Sequence, residues 1–385
     1  MGVVAFVDRQ GLSGYDLGTD HPLAPVNREL AIDLIRAYGM LDRPDVTVLQ
    51  PAPGDEDLIG RVHTAAYMAA VRRYSATPQL AAAFEAGMWG LAHGGDTPAF
   101  AGMHEAAVAV CGSSVTAARA VWEGRADRVL SVAGGLHHAF ANKANGFCIY
   151  NDPAVAIRWL LENGAERVAY VDVDVHHGDG TQFIFYDDPR VLTCSVHESG
   201  RYLFPGTGAI SERGIGAGEG YSVNVPLPAF SGDGPYLRAI DEVIAPAVTT
   251  FRPDVLVTQD GVDPHHQDPL AHLQVRTATF PAVWRSLHRL ADDAAGGRWI
   301  ALGGGGYNVD VLPRAWALLF AEMTGTDLPD VVPADWLALA AERTDRTDLT
   351  PLLMGDPDPE VAADERARAD FEGDEVVHEA IRTLL

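Results

Sequence analysis

Within VAYVDVDVHHGDG, residues 168–180, three carboxylates (Asp172, Asp174, Asp179) and two imidazoles (His176, His177) fall within eight positions. The run that precedes them is apolar and β-branched, the pattern of a buried strand. Residues two apart on a strand share a face, so Asp172, Asp174 and His176 point the same way. Asp263, in QDGVDPHHQDPL (259–270), adds a carboxylate from elsewhere. Two carboxylates and one imidazole hold a single divalent ion and leave positions open for water and substrate, as catalytic rather than structural sites do. Such an ion brings the pKa of water down to about 7 in good cases. The ligand types suit Zn²⁺, Fe²⁺ or Co²⁺, and the absence of thiolates excludes a closed, cysteine-rich zinc site.

Positioning these groups requires a scaffold. Short β-branched runs at 3–8, 46–49, 128–133, 167–175, 191–197, 221–227, 254–259 and 298–302 alternate with segments of helical period. The helical segments include 26–40, 104–122, 153–162, 236–250, 280–294 and 311–324. This alternation predicts an α/β fold, a parallel sheet flanked by helices. No internal repeat or Ser/Gly-rich linker interrupts it, so one domain over 1–385 is expected. Polar clusters follow five of the strands: GGLHH (134–138), DVHHGDG (174–180), HESGRYLFPGTG (197–208), QDGVDPHHQDPL and GGGGYN (303–308). Open α/β sheets place ligands at the carboxyl ends of their strands. Each cluster alone reads as a turn or polar loop; five at one rim read as a site.

The formal net charge is −25, with a single lysine, Lys143. That balance repels nucleic acid and anionic lipid and favours cationic partners. No apolar run approaches the roughly 18 residues of a membrane span, and MGVVAFVDRQ lacks a basic n-region. Three scattered cysteines imply no disulfide framework, and a cytoplasmic location is expected. Cys148 reads as a small buried hydrophobe. His21, His63, His93, His104, His288 and His378 read as structural or surface residues, whereas His265, His266 and His272 stay open. From 355 onward the composition turns acidic and reads as a solvated face or loose tail (355–385), with a short amphipathic helix in the last ten residues.

Taken in order, GDTPAFAGMHEAA (95–107), GGLHHAFANKANGFCIYND (134–152), VDVDVHHGDGTQ (171–182), RYLFPGTG (201–208), QDGVDPHHQDPLAHL (259–273) and GGGGYN resemble the histone deacetylase family of the arginase/deacetylase superfamily. Within it they are most similar to the bacterial acetoin-utilisation branch. The resemblance implies a three-layer α/β/α fold with a central, mostly parallel sheet of about eight strands. It implies zinc held by Asp174, His176 and Asp263, with His138 as general base. His137 would act beside it as a protonated imidazole, and Asp172 and Asp179 would orient the two rings. Tyr307 would donate to the developing oxyanion. Phe147 and Phe204 would wall a channel around an acyl-lysine stem, the Gly146 carbonyl would accept from the substrate amide, and Asp96 would hold substrate backbone at the rim. Potassium sites would use Asp172, Asp174, His176, Ser195 and Val196, and further off Phe185, Val191 and Tyr221.

The implied activity is hydrolysis of acetyl-lysine amides in proteins, with an acyl-CoA synthetase as an implied partner and no nucleic acid or membrane partner. An acetylpolyamine or other small-molecule amidohydrolase is the alternative within the fold. A two-manganese ureohydrolase fits less well, because Asp268 lies five residues from Asp263. A silent binding protein would have lost Tyr307, His138 or a ligand. One departure stands out. The family carries an arginine near the N-terminus at the channel foot, by the acetate-release cavity; HPLAPVNREL has Asn27 there and Arg28 one place later. One residue turns a helical side chain by about 100°, which puts acetate release by that route in question.

Overall fold

The computed structural model describes residues 2–8, 14–82 and 84–384. Its eight strands are β1 (Val4–Val7), β2 (Val46–Leu49), β3 (Arg128–Ser131), β4 (Val168–Asp172), β5 (Val191–Glu198), β6 (Ser222–Leu227), β7 (Val255–Gln259) and β8 (Trp299–Leu302). They form one sheet in the order β2-β1-β3-β8-β7-β4-β5-β6. Every pairing is parallel, where the sequence led us to expect mostly parallel strands. The continuous burial of β4, β5 and β7 is what parallel strands covered on both faces require.

Alternate residues feed two cores. Phe6, Leu130, Ala169 and Val171 pack toward helices Pro25–Ala37, Phe280–Ala294 and Leu312–Thr324. Val7, Val129, Val168 and Tyr170 pack toward Met103–Trp122 and Asp152–Glu162. The result is the expected three-layer α/β/α arrangement. No helix among the described residues is long and apolar enough to cross a membrane.

Three helical expectations need correction. The segment read as one helix over 236–250 is Asp233–Arg238, a π-turn over Ala239–Ile244, and Ala245–Phe251. Helices Ala65–Ala76 and Ala334–Thr344 lay outside the expected segments. The acidic C-terminal stretch is not a loose tail, and its helix is not short: Ala363–Leu384 runs for 22 residues. Ala369, Gly373, Val377 and Ala380 bury one narrow face of it. Polar groups fix its place, with Asp370 accepting from the Gly232 amide at 2.7 Å and Asp374 pairing with Arg238 at 2.6 Å.

Candidate active site

Just past the carboxyl end of β4 the chain turns sharply and delivers Asp174 and His176, both buried. The loop after β7 brings Asp263 to them. The His176 Nδ1 atom lies 3.1 Å from Asp174 Oδ1 and 3.1 Å from Asp263 Oδ2. One ligand atom from each of the three residues falls within 4.8 Å of the others. Both carboxylates are held in place. Val175 N donates to Asp263 Oδ1 at 2.8 Å, and Gln259 Nε2 and Gly305 N each donate to Asp174 Oδ2 at 2.7 Å. Gly305 cannot carry a side chain, since a Cβ there would stand 2.0 Å from Asp263 Oδ2. Two buried carboxylates and an imidazole, with no arginine or lysine partner among the described residues, fit a divalent cation.

Two further imidazoles stand beside this group. His137 Nδ1 and Asp172 Oδ2 are 2.7 Å apart, as are His138 Nδ1 and Asp179 Oδ1. The Nε2 atoms of the two rings are 3.0 Å apart. Burial alone would lower His137, but Asp172 and Asp174 outweigh it and raise the ring to about 9. Burial, and after it the neighbouring His137 and His176, pushes His138 well below the usual imidazole value. One ring therefore carries a proton at neutral pH while the other is free to take one. The turn bearing them is held from beneath. Asn151 donates to the His137 and Ala139 carbonyls at 2.9 and 3.0 Å, while Asp152 accepts from Gly135 N and Leu136 N at 3.0 and 2.8 Å.

The site opens through a cavity of about 190 Å³. His138, His176 and Tyr307 line its inner part, and Phe147, Phe204, Leu203 and Leu270 its walls; Asp96 is exposed at its lip. The rings of Phe147 and Tyr307 meet edge-to-face at 5.7 Å, and those of His138 and Phe204 at 5.0 Å. Gly146 takes φ +50, and a Cβ on it would stand 2.4 Å from the His138 ring. Burial raises Tyr307 well above the usual phenol value, so its hydroxyl is a proton donor. Asp268 holds the Tyr307 amide at 2.9 Å. A larger hollow of about 400 Å³ beside Pro53 and His104 contains none of these groups.

The catalytic, substrate-binding and metal candidates read from the sequence thus converge. Asp172 pairs in register with Ser195 of β5, next to Val196. Val191 lies at the other end of β5 and its neighbour Thr193 bonds the Tyr221 carbonyl, while Phe185 follows helix Asp179–Ile184, so the two potassium candidates sit apart. Cys148 is buried, its Sγ 3.2 Å from the Gly146 carbonyl, and burial pushes its thiol up.

Several participants were not legible in sequence. Gln259 ends β7 and reads there as strand. Tyr170 donates to Asp172 at 2.8 Å from a position that reads as core. His21, read as structural, lies at the lip, with Nε2 3.1 Å from the Asp96 carbonyl and its ring 4.4 Å from that of Phe147. The structure also shows where Arg28 lies. Arg28 is buried and donates to the Gly304 carbonyl at 3.1 Å, and the Tyr307 and Tyr15 side chains are among the groups that act on its charge. Helix Pro25–Ala37 buries both Asn27 and Arg28 and sets Arg28 against the GGGGYN loop that carries Gly305 and Tyr307, one position later than the family motif has its arginine. Of the undecided histidines, His265 bonds Thr277 and Asp356 and His272 bonds Glu198; neither they nor His266 line the cavity.

A parallel α/β sheet with a carboxylate–imidazole centre at its carboxyl rim suits metal-dependent hydrolysis, and comparison with known proteins gives the class. Residues 21–323 match the histone deacetylase domain. The chain is 41% identical over 363 residues to the acetoin utilization protein AcuC of Bacillus subtilis (strain 168), covering 92% of each chain. It is 36% identical over 334 residues to AcuC of Staphylococcus xylosus, covering 86% of each. It is also 34% identical over 335 residues to AcuC of Staphylococcus aureus (strain MRSA252), covering 86% of this chain and 85% of that one. The chain belongs to the histone deacetylase family.

Proposed function

We propose that the protein is a zinc-dependent lysine deacetylase that hydrolyses acetyl-lysine amides in protein substrates. The observation that carries this is the cavity itself. It is narrow, walled by Phe147 and Phe204, and leads from an exposed acid to His138 and the Asp174/His176/Asp263 group. A lysine stem is an unbranched apolar chain that such a passage fits. Bound there by those three residues, a divalent ion would polarise the amide carbonyl and activate water.

The chain's own groups supply the rest. His138 takes a proton at Nε2, with Asp179 fixing the tautomer from Nδ1. His137, charged and 3.0 Å away, stabilises negative charge and can return a proton toward the leaving amine. The Tyr307 hydroxyl donates to the oxyanion as the carbonyl becomes tetrahedral. The Gly146 carbonyl accepts from the amide N–H, and Arg28 offers a cation at the inner end for the acetate product. Potassium at the two β5 sites would stiffen the loops that carry the ligands. The names of the AcuC relatives point to acetoin utilization; beyond those names, we propose an acyl-CoA synthetase as the target and the cytoplasm as the location.

The test is hydrolysis of matched acetyl-lysine peptides and acetylated diamines, with and without added metals. A second reading, an acetylpolyamine amidohydrolase, is favoured by one observation: Asp96 at the lip could receive a distal ammonium. Hydrogen bonds to a charged group are worth about 1.5–3 kcal/mol. If peptides are the substrate, Asp96→Ala should lower peptide kcat/KM about tenfold to a hundredfold and spare a small neutral acetyl-lysine analogue. Loss confined to cationic acetyl-diamines would favour the second reading.

A further inference from the structure

Two hollows of about 510 and 620 Å³ lie between the loop after β5 and the C-terminal helix. They share Arg201, Tyr202, Pro228 and Glu372 and so form one groove. Two separate loops run from the channel wall into it. Leu203 and Phe204 line the channel while Arg201 and Tyr202 line the groove. Leu270 lines the channel while His272 lines the groove. Groove and channel wall are therefore built from adjoining residues of the same two loops.

The helix gives this groove its chemistry. Glu365, Glu372 and Glu379 are seven residues apart, share one face, and are exposed toward it. The face beside this stripe is committed to packing through Ala369, Gly373, Val377 and Ala380, and Asp370 and Asp374 anchor the helix beyond it. Arg368 partly offsets the stripe by pairing with Glu372 at 2.9 Å, and the exposed Arg201 adds one further cation. From Glu365 to Glu379 the helix rises about 21 Å, the length of about six extended residues. The exposed Tyr202 supplies a flat apolar surface where groove meets channel.

We propose that this groove binds the polypeptide on one side of the acetyl-lysine. Its glutamates would select substrates carrying arginine or lysine about two to eight residues away. The inference rests on the lysine deacetylase reading and names its substrate class more narrowly.

The experiment compares three acetyl-lysine peptides, with neutral flanks, N-terminal arginines or C-terminal arginines, alongside a small neutral acetyl-lysine analogue. The enzymes are the holoenzyme and the variant combining Glu365→Gln, Glu372→Gln and Glu379→Gln. One arginine peptide should show about five- to tenfold higher kcat/KM than the neutral one, mostly through KM. That preference should vanish in the variant, and also in about 1 M salt, where the Debye length is about 3 Å. The analogue should be turned over equally by both enzymes. Equal rates for all peptides, or a preference that survives in the variant, would overturn the proposal. So would a second copy of the chain occupying the groove, seen as a dimer that the variant dissolves. Failure of the unmodified enzyme on every acetyl-lysine substrate would instead overturn the deacetylase reading and the groove with it.

Discussion

Among the described residues, two histidine–carboxylate groups have metal-like spacing, and their contrast is instructive. Asp174, His176 and Asp263 form one; His265, His266 and Asp356 form the other. In the second, Arg314 is fully buried with NH2 3.3 Å from Asp356, and Thr277 donates to the same carboxylate twice at 2.7 Å. Arg314 also binds the Gly355 and Leu353 carbonyls at 2.8 and 3.1 Å. The group's negative charge is answered by Arg314, and Asp356 accepts on both oxygens, although His266 Nε2 is buried without a partner among the described residues. In the first group two carboxylates meet with no guanidinium or ammonium partner among the described residues, at the end of an open cavity. What separates a metal centre from a structural clasp is unanswered charge with access: the spacing is alike, but the first group has two carboxylates and one imidazole and the second the reverse.

The strongest way to break this comparison is to remove a ligand. Asp263→Ala should abolish both bound metal, read by elemental analysis, and deacetylation, while the folded circular dichroism spectrum persists. Two manganese ions per chain in the unmodified protein would contradict the single-ion site. Next, Tyr307→Phe should lower kcat about 10²- to 10³-fold with metal content unchanged; a change in KM alone would make Tyr307 a substrate-binding residue.

Arg314→Met should act oppositely to the ligand variant. Leaving Asp356 and Asp310 without their cation should cost about 3–5 kcal/mol in denaturant unfolding, with full metal content in the folded fraction. A depleted metal site would mean the two groups are coupled. The smallest effect concerns acid. Although burial raises it, His265 and Thr277 bring Asp356 well below the usual carboxylate range. A depressed folded-state pKa stabilises above the unfolded value, about 3.9, and that contribution is lost as pH falls below it. The stability gap between the unmodified protein and Asp356→Asn should therefore hold at pH 7 and shrink below about pH 4.

Legibility followed the same division. All eight strands were readable: seven are mostly buried and read as continuous apolar runs, while β2, a partly exposed edge strand, showed through its β-branched residues, and the strand ends located the rim. The C-terminal helix was misjudged because Ala369, Gly373 and Ala380 dock it by smallness; a Cβ on Gly373 would stand 2.8 Å from Pro235. Close approach of that kind leaves no hydrophobic stripe to read. Arg28 was misplaced because a motif fixes spacing along the chain, whereas the start of helix Pro25–Ala37 fixes rotation. Gln259 and Tyr170 were missed because each sits on a strand, and only the fold shows that its polar end meets an aspartate.

The strand order also bears on how the chain reaches this state. β1, β2 and β3 pair among themselves, as do β4, β5 and β6, but the halves join only through β7 and β8. β3 must wait for β8, whose partners lie 171 residues on, from Arg128 to Trp299. Contacts of such separation form slowly. On the ribosome, both half-sheets would emerge with an unpaired edge each, an invitation to wrong partners. Asp263 and Tyr307 follow the two closing strands, so catalytic competence arrives with closure, and a half-made chain is inert.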